Sequence, residues 1–360
     1  MTGLAGLRIG LVGPLPPPAG GMAMQTQQLA ELLRAAQAHV TLVPTNAPYR
    51  PAWVAPLKGV RALFRLLPYL LLLWRTAGRS DVLHVMANSG WSWHLFAAPA
   101  VWIAHARRVP VIVNYRGGEA AEFLQRSARS VRATMRRARR LVVPSGFLQD
   151  VFGRHGMPAE VVPNIVDLVR FRPADTAQKA AQIIVARNLE PIYDNATALR
   201  AFALVRAQHA QARLLIAGTG PQEAMLRSLA AELGVADAVE FAGRLDRDTM
   251  AQRLRDSRVA LNPSLVDNMP NSVLEALASG VPVVSTRVGG VPFIVDHERT
   301  ALLVPPGDPP AMARAIGRLL ANQDLAHRLR DAGLADAQHY TWQAVGPRWR
   351  STYLSAVAPA

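Results

Sequence analysis

At 360 residues, half of them apolar, the chain exceeds what one hydrophobic core usually serves and suits two domains. It has no cysteine, which excludes disulfides and thiolate metal sites and fits a reducing compartment such as cytoplasm. Forty basic residues, nearly all arginine, stand against 25 acidic ones, so the net charge of +15 calls for anionic partners: a nucleotide, a phospholipid surface or nucleic acid.

Residues 7–12 read as a first buried strand; the apolar N-terminus is too short, and too soon broken by prolines, for an export signal, so no export is expected. Gly20 and Gly21 then precede a helix beginning near Met22, a turn that lets backbone amides approach a ligand closely. A strand at 39–44 and a Pro-rich loop at 46–56 follow. In 57–79, Lys58, Arg61, Arg65, Arg75 and Arg79 frame the apolar run 66–74, which falls short of the roughly 20 residues a bilayer requires and is interrupted by Pro68. Two readings stay open: a core helix, or an interfacial helix with leucines and Trp74 in lipid and arginines on anionic headgroups.

Residues 81–86 form the next expected strand, and the Trp-rich loop 88–94 offers a surface for a sugar face. The strand 109–114 ends in Tyr115-Arg116-Gly117-Gly118-Glu119. Arg116 suits a phosphate or carboxylate, or else a structural pairing with Glu119 or Glu122. The seven arginines of 126–140 read either as a solvated helix face or, joined to 57–79, as one basic surface for anionic lipid; no nucleic-acid motif accompanies them. After a strand at 140–145, a polar linker is expected at 174–179. Strands at 182–186, 212–217 and 238–243 follow, ending respectively in Arg187, in the turn Gly218-Thr-Gly220 and in Arg244. Asp246 and Asp248 stand at a helix start, where a cap is expected rather than a metal pair.

The most informative stretch is 259–290, VALNPSLVDNMPNSVLEALASGVPVVSTRVGG. A short apolar strand leads into the polar loop 264–271, Pro270 suits a first helical position, the helix of about 271–279 stops at Gly280, and a fully apolar strand follows. Asp267 lies ahead of the helix and Glu275 inside it, eight positions on, where free N–H groups and the helix dipole favour a phosphate. Residues 299–306 and 308–320 read as strand and helix, and Tyr340-Thr-Trp342 opens a last amphipathic helix.

Two acids eight apart before a small-residue, Gly, Val-Pro-Val-Val run resemble the signature of retaining nucleotide-sugar glycosyltransferases of the GT-B type, family four. The resemblance is strongest over 182–307 and includes 160–173, similar to that family's passage out of its first domain. It implies an α/β fold of two doubly wound Rossmann-like domains facing a cleft, with the C-terminal helix crossing back to the first domain. Residues 1–173, with about 340–360, would bind the acceptor, and 174–339 the donor.

In that family's register, Asp267 and Arg187 are the expected catalytic residues. Glu275, Asn268, Met269, Pro270, Asn271, Ser272, Gly218, Gly220, Arg244, Gly20 and Gly21 line the donor, and Arg116, Gly117 and Tyr115 the acceptor. The implied chemistry keeps anomeric configuration, uses a nucleoside-diphosphate sugar as co-substrate and needs no metal or other cofactor. The implied setting is bacterial polysaccharide or glycolipid synthesis, on a saccharide or lipid-linked acceptor, in the cytoplasm or on the inner face of the cell membrane, without nucleic acid.

Three departures stand out: Asp267 replaces the usual Glu, Arg116 replaces a histidine, and Tyr193 or Asp194 occupies the place of a lysine that normally helps Arg187 neutralise the diphosphate. A non-catalytic nucleotide- or membrane-binding homologue, and an epimerase or hydrolase on the same architecture, therefore stand as alternatives.

Overall fold

Short runs of Val, Ile and Leu, buried on both faces, form parallel strands because the helices between them cover both sides of each sheet. The computed structural model describes residues 3–17, 20–49, 53, 57, 61–174 and 181–359, the side chains of 61–63 excepted. The chain divides into two units, Met1–Asn164 with Val345–Ala360, and Ile165–Ala344.

The first unit contains β1 (Arg8–Gly13), α1 (Gly21–Ala35), β2 (His39–Pro44), α2 (Arg61–Ala77), β3 (Val82–Ala87), α3 (Ala98–Ala106), β4 (Val111–Tyr115), α4 (Ala120–Met135), β5 (Arg140–Val143), α5 (Gly146–Arg154) and β6 (Glu160–Val161). Its sheet runs β2-β1-β3-β4-β5-β6, all parallel. The strand order reverses between β1 and β3. Crevices at such switch points, beyond the carboxyl ends of the strands, are where doubly wound sheets hold ligands.

The second unit contains β7 (Gln182–Val185), α6 (Asn195–Gln208), β8 (Arg213–Ala217), α7 (Glu223–Glu232), β9 (Val239–Gly243), α8 (Arg247–Asp256), β10 (Val259–Asn262), α9 (Asn271–Ala278), β11 (Val283–Thr286), β12 (Ala301–Val304), α10 (Pro309–Ala321) and α11 (Gln323–Ala337). Its order is β12-β11-β10-β7-β8-β9, again parallel, with the reversal between β7 and β10. Both halves are thus α/β and doubly wound, as expected.

The last helix, α12 (Trp342–Val357), packs in the first unit: Trp349 and Tyr353 are fully buried against His84 of β3, their ring centroids 4.9 and 5.7 Å from the imidazole. The division falls earlier than the expected boundary after residue 173. Val166 and Phe171 are buried in the apolar cluster that holds Met269, Leu274 and Ala337, so the passage from 165 onward belongs to the second unit. Most of the expected linker, 175–179, lies outside the described residues.

Helix α2 is buried on one side and exposed on the other. Tyr69, Leu73 and Ala77 enter the first unit's core, while Leu67 (59% exposed), Leu71 (61%) and Trp74 stand in solvent. Among the described residues, no helix is long and apolar enough to cross a membrane. The basic run 126–140 is largely committed elsewhere. Arg126 pairs with Glu122, Arg132 donates to the His155 carbonyl, and Arg139 and Arg140 reach Ala358 and Ser355 at the end of the chain. Arg137 lies over the Trp102 ring at 3.6 Å. Arg132, Arg139 and Arg140 thus tie neighbouring elements together, Arg137 is held on Trp102 and Arg126 is paired within α4, so the run does not present seven unengaged guanidiniums.

Candidate functional site

In the second unit, Arg187 stands two residues past β7 and Asn262 ends the adjacent β10, at the sheet's switch point. Asn262, 2% exposed, is the local anchor: its Oδ1 accepts from Arg187 Nε at 2.8 Å and from Ser264 Oγ at 2.8 Å, while its Nδ2 donates to Ser285 Oγ at 2.9 Å. A buried amide with these bonds fixes the guanidinium of Arg187. Nothing in the sequence marked Asn262 beyond its polarity at the end of a buried strand.

Asp267 forms an ion pair with Arg187, both side chains being only 10% exposed. The loop carrying Asp267 is tied down along its length. Thr286 Oγ1 donates to the Ser264 carbonyl at 2.6 Å, Leu265 N–H to the Ile192 carbonyl at 2.8 Å, and Gly290 N–H to the Asp267 carbonyl at 3.1 Å. The Asp267 carboxylate also accepts from the N–H of Asn268 at 3.0 Å. Helix α9 begins one residue later than Pro270, which is its cap residue rather than its first helical position, and no side chain caps it. The proline ring has no N–H to satisfy and no side-chain acceptor to offer, and its carbonyl accepts from the N–H groups of Val273 at 3.2 Å and Leu274 at 3.4 Å. Gly280 takes φ of +62° just past the helix.

Glu275, half-buried on the next turn of α9, is raised to about 7 by burial, with Arg247 and Arg187 opposing that shift. Arg187 is in turn lowered to about 10 by burial, with Tyr193 and Glu275 acting against it. The charge of Arg247 thus acts on Glu275, an influence not foreseen from the sequence. Of the two residues at the expected lysine position, Tyr193 places its ring 4.8 Å from the Arg187 guanidinium, whereas Asp194, at φ +41°, caps α6 by accepting from Thr197 N–H. Tyr193 supplies quadrupole and hydroxyl where a second positive charge was expected.

Gly218 and Gly220 pack directly on the backbone carbonyls of Arg187 and Leu189, which a Cβ at either position would strike. Leu189 N–H donates to the Thr219 carbonyl at 3.1 Å, so the glycine turn braces the segment bearing Arg187. Exposed Arg244 reaches Thr219 Oγ1 only at 3.5 Å and is free to turn toward a ligand. Met269 is 6% exposed and belongs to the apolar core, which leaves only its backbone for a ligand; Asn268 is also buried, while Asn271 and Ser272 are half-buried at the start of α9. Asp246 caps α8 and Asp248 pairs with Arg170 at 2.7 Å. No group of three metal-ligating side chains occurs among the described residues.

In the first unit, the expected acceptor-side residues stand at the end of β4. Tyr115 departs from that expectation: it is fully buried, its ring centroid 4.8 Å from that of Phe152 and its hydroxyl 2.6 Å from Ser89 Oγ, because alternation along β4 turns it into the core. Gly117 lets the β4 loop lie on Asn88 and Ser89. Arg116 donates from Nε to Asn114 Oδ1 at 3.1 Å and from Nη1 to Asn164 Oδ1. It forms no ion pair with Glu119 or Glu122; Glu122 is taken by Arg126. Gly20 is the cap residue of α1 and Gly21 its first residue, beyond the carboxyl end of β1.

Residues 180–322 match the family model described as Glycosyl transferases group 1, and residues 19–170 match the model described as Glycosyltransferase Family 4. The chain is 33% identical over 257 residues to a D-inositol 3-phosphate glycosyltransferase of Acidothermus cellulolyticus, an alignment covering 66% of this chain and 55% of that protein. It is 30% identical over 226 residues to an MMP alpha-(1->4)-mannosyltransferase of Mycolicibacterium hassiacum, covering 61% and 54%. The chain therefore spans about half the length of these curated relatives. Among solved structures, sucrose-phosphate synthase from Thermosynechococcus elongatus aligns with a TM-score of 0.78 at 20% identity, over 96% of this chain and 98% of that one. Anabaena HepE in complex with UDP-glucose gives 0.76 at 16%, over 97% and 100%. These likenesses establish the GT-B fold. With one matching model on each of its two doubly wound units, the chain belongs to the group 1, family four glycosyltransferases.

Proposed function

We propose that the protein transfers a sugar from a nucleoside-diphosphate sugar to a saccharide or lipid-linked acceptor, with retention of anomeric configuration, in polysaccharide or glycolipid synthesis. The observation that carries this reading is the convergence of Arg187, Asp267 and Glu275 at the switch point of the second unit. The relatives named above support the class of reaction.

In this reading Glu275 accepts from the ribose hydroxyls and Asp267 from those of the donor sugar. The amides of 268–272, Gly218, Gly220 and Arg244 frame the nucleotide, and the amides of Gly20 and Gly21 suit a diphosphate. The anomeric C–O bond breaks with its electron pair passing to the diphosphate, whose growing charge meets Arg187 and the N-terminus of α9. The acceptor oxygen bonds to the anomeric carbon on the same face, and its proton passes to the departing phosphate oxygen. These groups meet the charge without calling on a metal. The test is release of nucleoside diphosphate across a panel of nucleotide sugars, with and without lipid-linked acceptor, and NMR assignment of the product's anomeric configuration. Nucleotide binding without release from any donor would leave a non-catalytic homologue in place of this reading.

Glu275 is expected to act on donor affinity, since ribose contacts are equal in ground and transition states. Glu275→Gln should raise the apparent donor constant with a smaller loss of turnover. Because its folded value is about 7 against an ordinary 4.5, ionisation costs more in the fold than in the unfolded chain, so stability falls as pH rises from about 4.5 to about 7. Melting curves should show wild type losing ground to Glu275→Gln across that window; parallel curves would remove the burial argument.

The exposed side of α2 extends the reading to an anionic membrane surface, on the strength of charge complementarity. Phe64, Leu67, Leu71 and Trp74 form an apolar stripe on a helix without an acid, and Arg65 and Arg107 stack on Tyr49 and Trp74 beside it. Vesicles rich in phosphatidylglycerol should sediment the protein, and salt should release it. Leu67→Glu with Leu71→Glu changes only exposed side chains and should abolish that binding; unchanged sedimentation would exclude this face.

A further inference from the structure

Arg116 is a half-buried guanidinium held by neutral groups. Its Nε is held by Asn114 Oδ1, whose amide nitrogen lies 3.0 Å from His84 Nε2; His84 Nδ1 lies 2.6 Å from the Tyr353 hydroxyl. Since Asn114 Oδ1 accepts from arginine, its Nδ2 donates to His84 Nε2, and the imidazole is neutral with its proton on Nδ1, toward Tyr353. Burial and the charge of Arg116 press His84 down to about 3, so it stays neutral at any physiological pH. Asn164 completes the cradle at Nη1. Among the described residues no acid pairs with Arg116, and no hydrogen bond takes its Nη2. Burial lowers Arg116 itself to about 10, the direction expected of a cation lacking a counter-charge.

A cation in this setting is costly to the fold, yet four side chains from β3, β4, the segment after β6 and α12 are arranged to aim it. Arg116 stands just past the carboxyl end of β4, where its backbone N–H donates to the Ala87 carbonyl and Gly117 allows the chain to approach Asn88 and Ser89. We propose that Arg116 receives an anionic group of the acceptor, a phosphate monoester or a carboxylate, as a two-pronged ligand. This rests on reading the first unit as the acceptor side, and it narrows the acceptor to one bearing negative charge near the reacting hydroxyl. A neutral glycan lacks the group this cradle is built to hold.

The test requires no turnover, which keeps its failure distinct from failure of the glycosyltransferase reading. The full chain is titrated calorimetrically with inorganic phosphate in one arm and with glucuronate in the other, as wild type, Arg116→Gln and Arg187→Gln. A binding event weakened about 10- to 100-fold by Arg116→Gln, the range for hydrogen bonds to charged groups, and kept by Arg187→Gln, is the expected result. Whichever probe shows it identifies the anion. Melting temperature supplies a second measure. If Arg116 were only structural, Arg116→Gln would destabilise the ligand-free protein; if it awaits an anion, the variant should melt at or above wild type and lose the stabilisation that the probe gives wild type. Equal binding of both probes by wild type and Arg116→Gln, or no binding by wild type, overturns the proposal, as does a destabilised Arg116→Gln that still gains stability from the probe.

Discussion

Asp267→Asn should tighten binding of the free nucleoside diphosphate while turnover collapses. In the ligand-free protein Asp267 occupies Arg187, the cation assigned to the diphosphate, so donor binding has to exchange one anion for another. The neutral, isosteric amide removes the competitor: affinity for the diphosphate is expected to rise about tenfold, about 1.4 kcal/mol. The same change removes the carboxylate proposed to act on the donor sugar beside the carbon where positive charge develops. Turnover should fall ~10²-fold or more, about 2.7 kcal/mol of lost transition-state stabilisation, and Asp267→Ala should fall at least as far. Calorimetry with the diphosphate and steady-state rates on a confirmed donor give the two quantities separately. Opposite movement supports the exchange, whereas weaker binding together with slower turnover would mean Asp267 only props up the loop before α9. Asp267→Glu tests the shorter side chain. Near-normal rates would show that a carboxylate alone is needed, and strong loss that the loop, pinned at Ser264, Leu265 and Gly290, is cut to the length of Asp.

Arg187→Met should be the most damaging single change. It removes the side chain proposed to meet charge on the leaving group, worth about 10²- to 10³-fold in turnover for one well-placed donor. It also strands Asp267 in a site where that carboxylate is 10% exposed, and breaking a buried pair from one side costs about 3–5 kcal/mol. The two effects separate in the double variant Arg187→Met with Asp267→Leu. Removing both charges should restore most of the lost stability in denaturant melts and none of the lost turnover. If the double variant is no more stable than Arg187→Met, the pair is not the source of the cost. Tyr193→Lys adds a contrast: the positive charge returned beside Arg187 should strengthen diphosphate binding and, by crowding one cation with another in the ligand-free protein, lower the melting temperature.

The alternation of strand and helix in both halves, the strand–loop–helix–strand unit of 259–290 and the likeness that predicted the fold were all legible in the residues alone. Those signals are local. Apolar runs on buried parallel strands, Gly280 after α9 and Asp246 before α8 act within a few residues of themselves, so they can be read without knowing what lies opposite. What the tertiary structure decided depends on residues distant in the chain. Asp267 faces Arg187 because β10 lies beside β7, Asn262 aims that guanidinium for the same reason, and Tyr193 sits over it instead of leaving the place to a charge. Arg139 and Arg140 are spent on the chain's last turns, a partnership 219 positions long for Arg139 that no helical periodicity reveals. Tyr115 and Arg116, neighbours in a motif that reads as one site, part company because successive side chains of a strand point to opposite sides: one enters the core, and the other is left as a cation among amides.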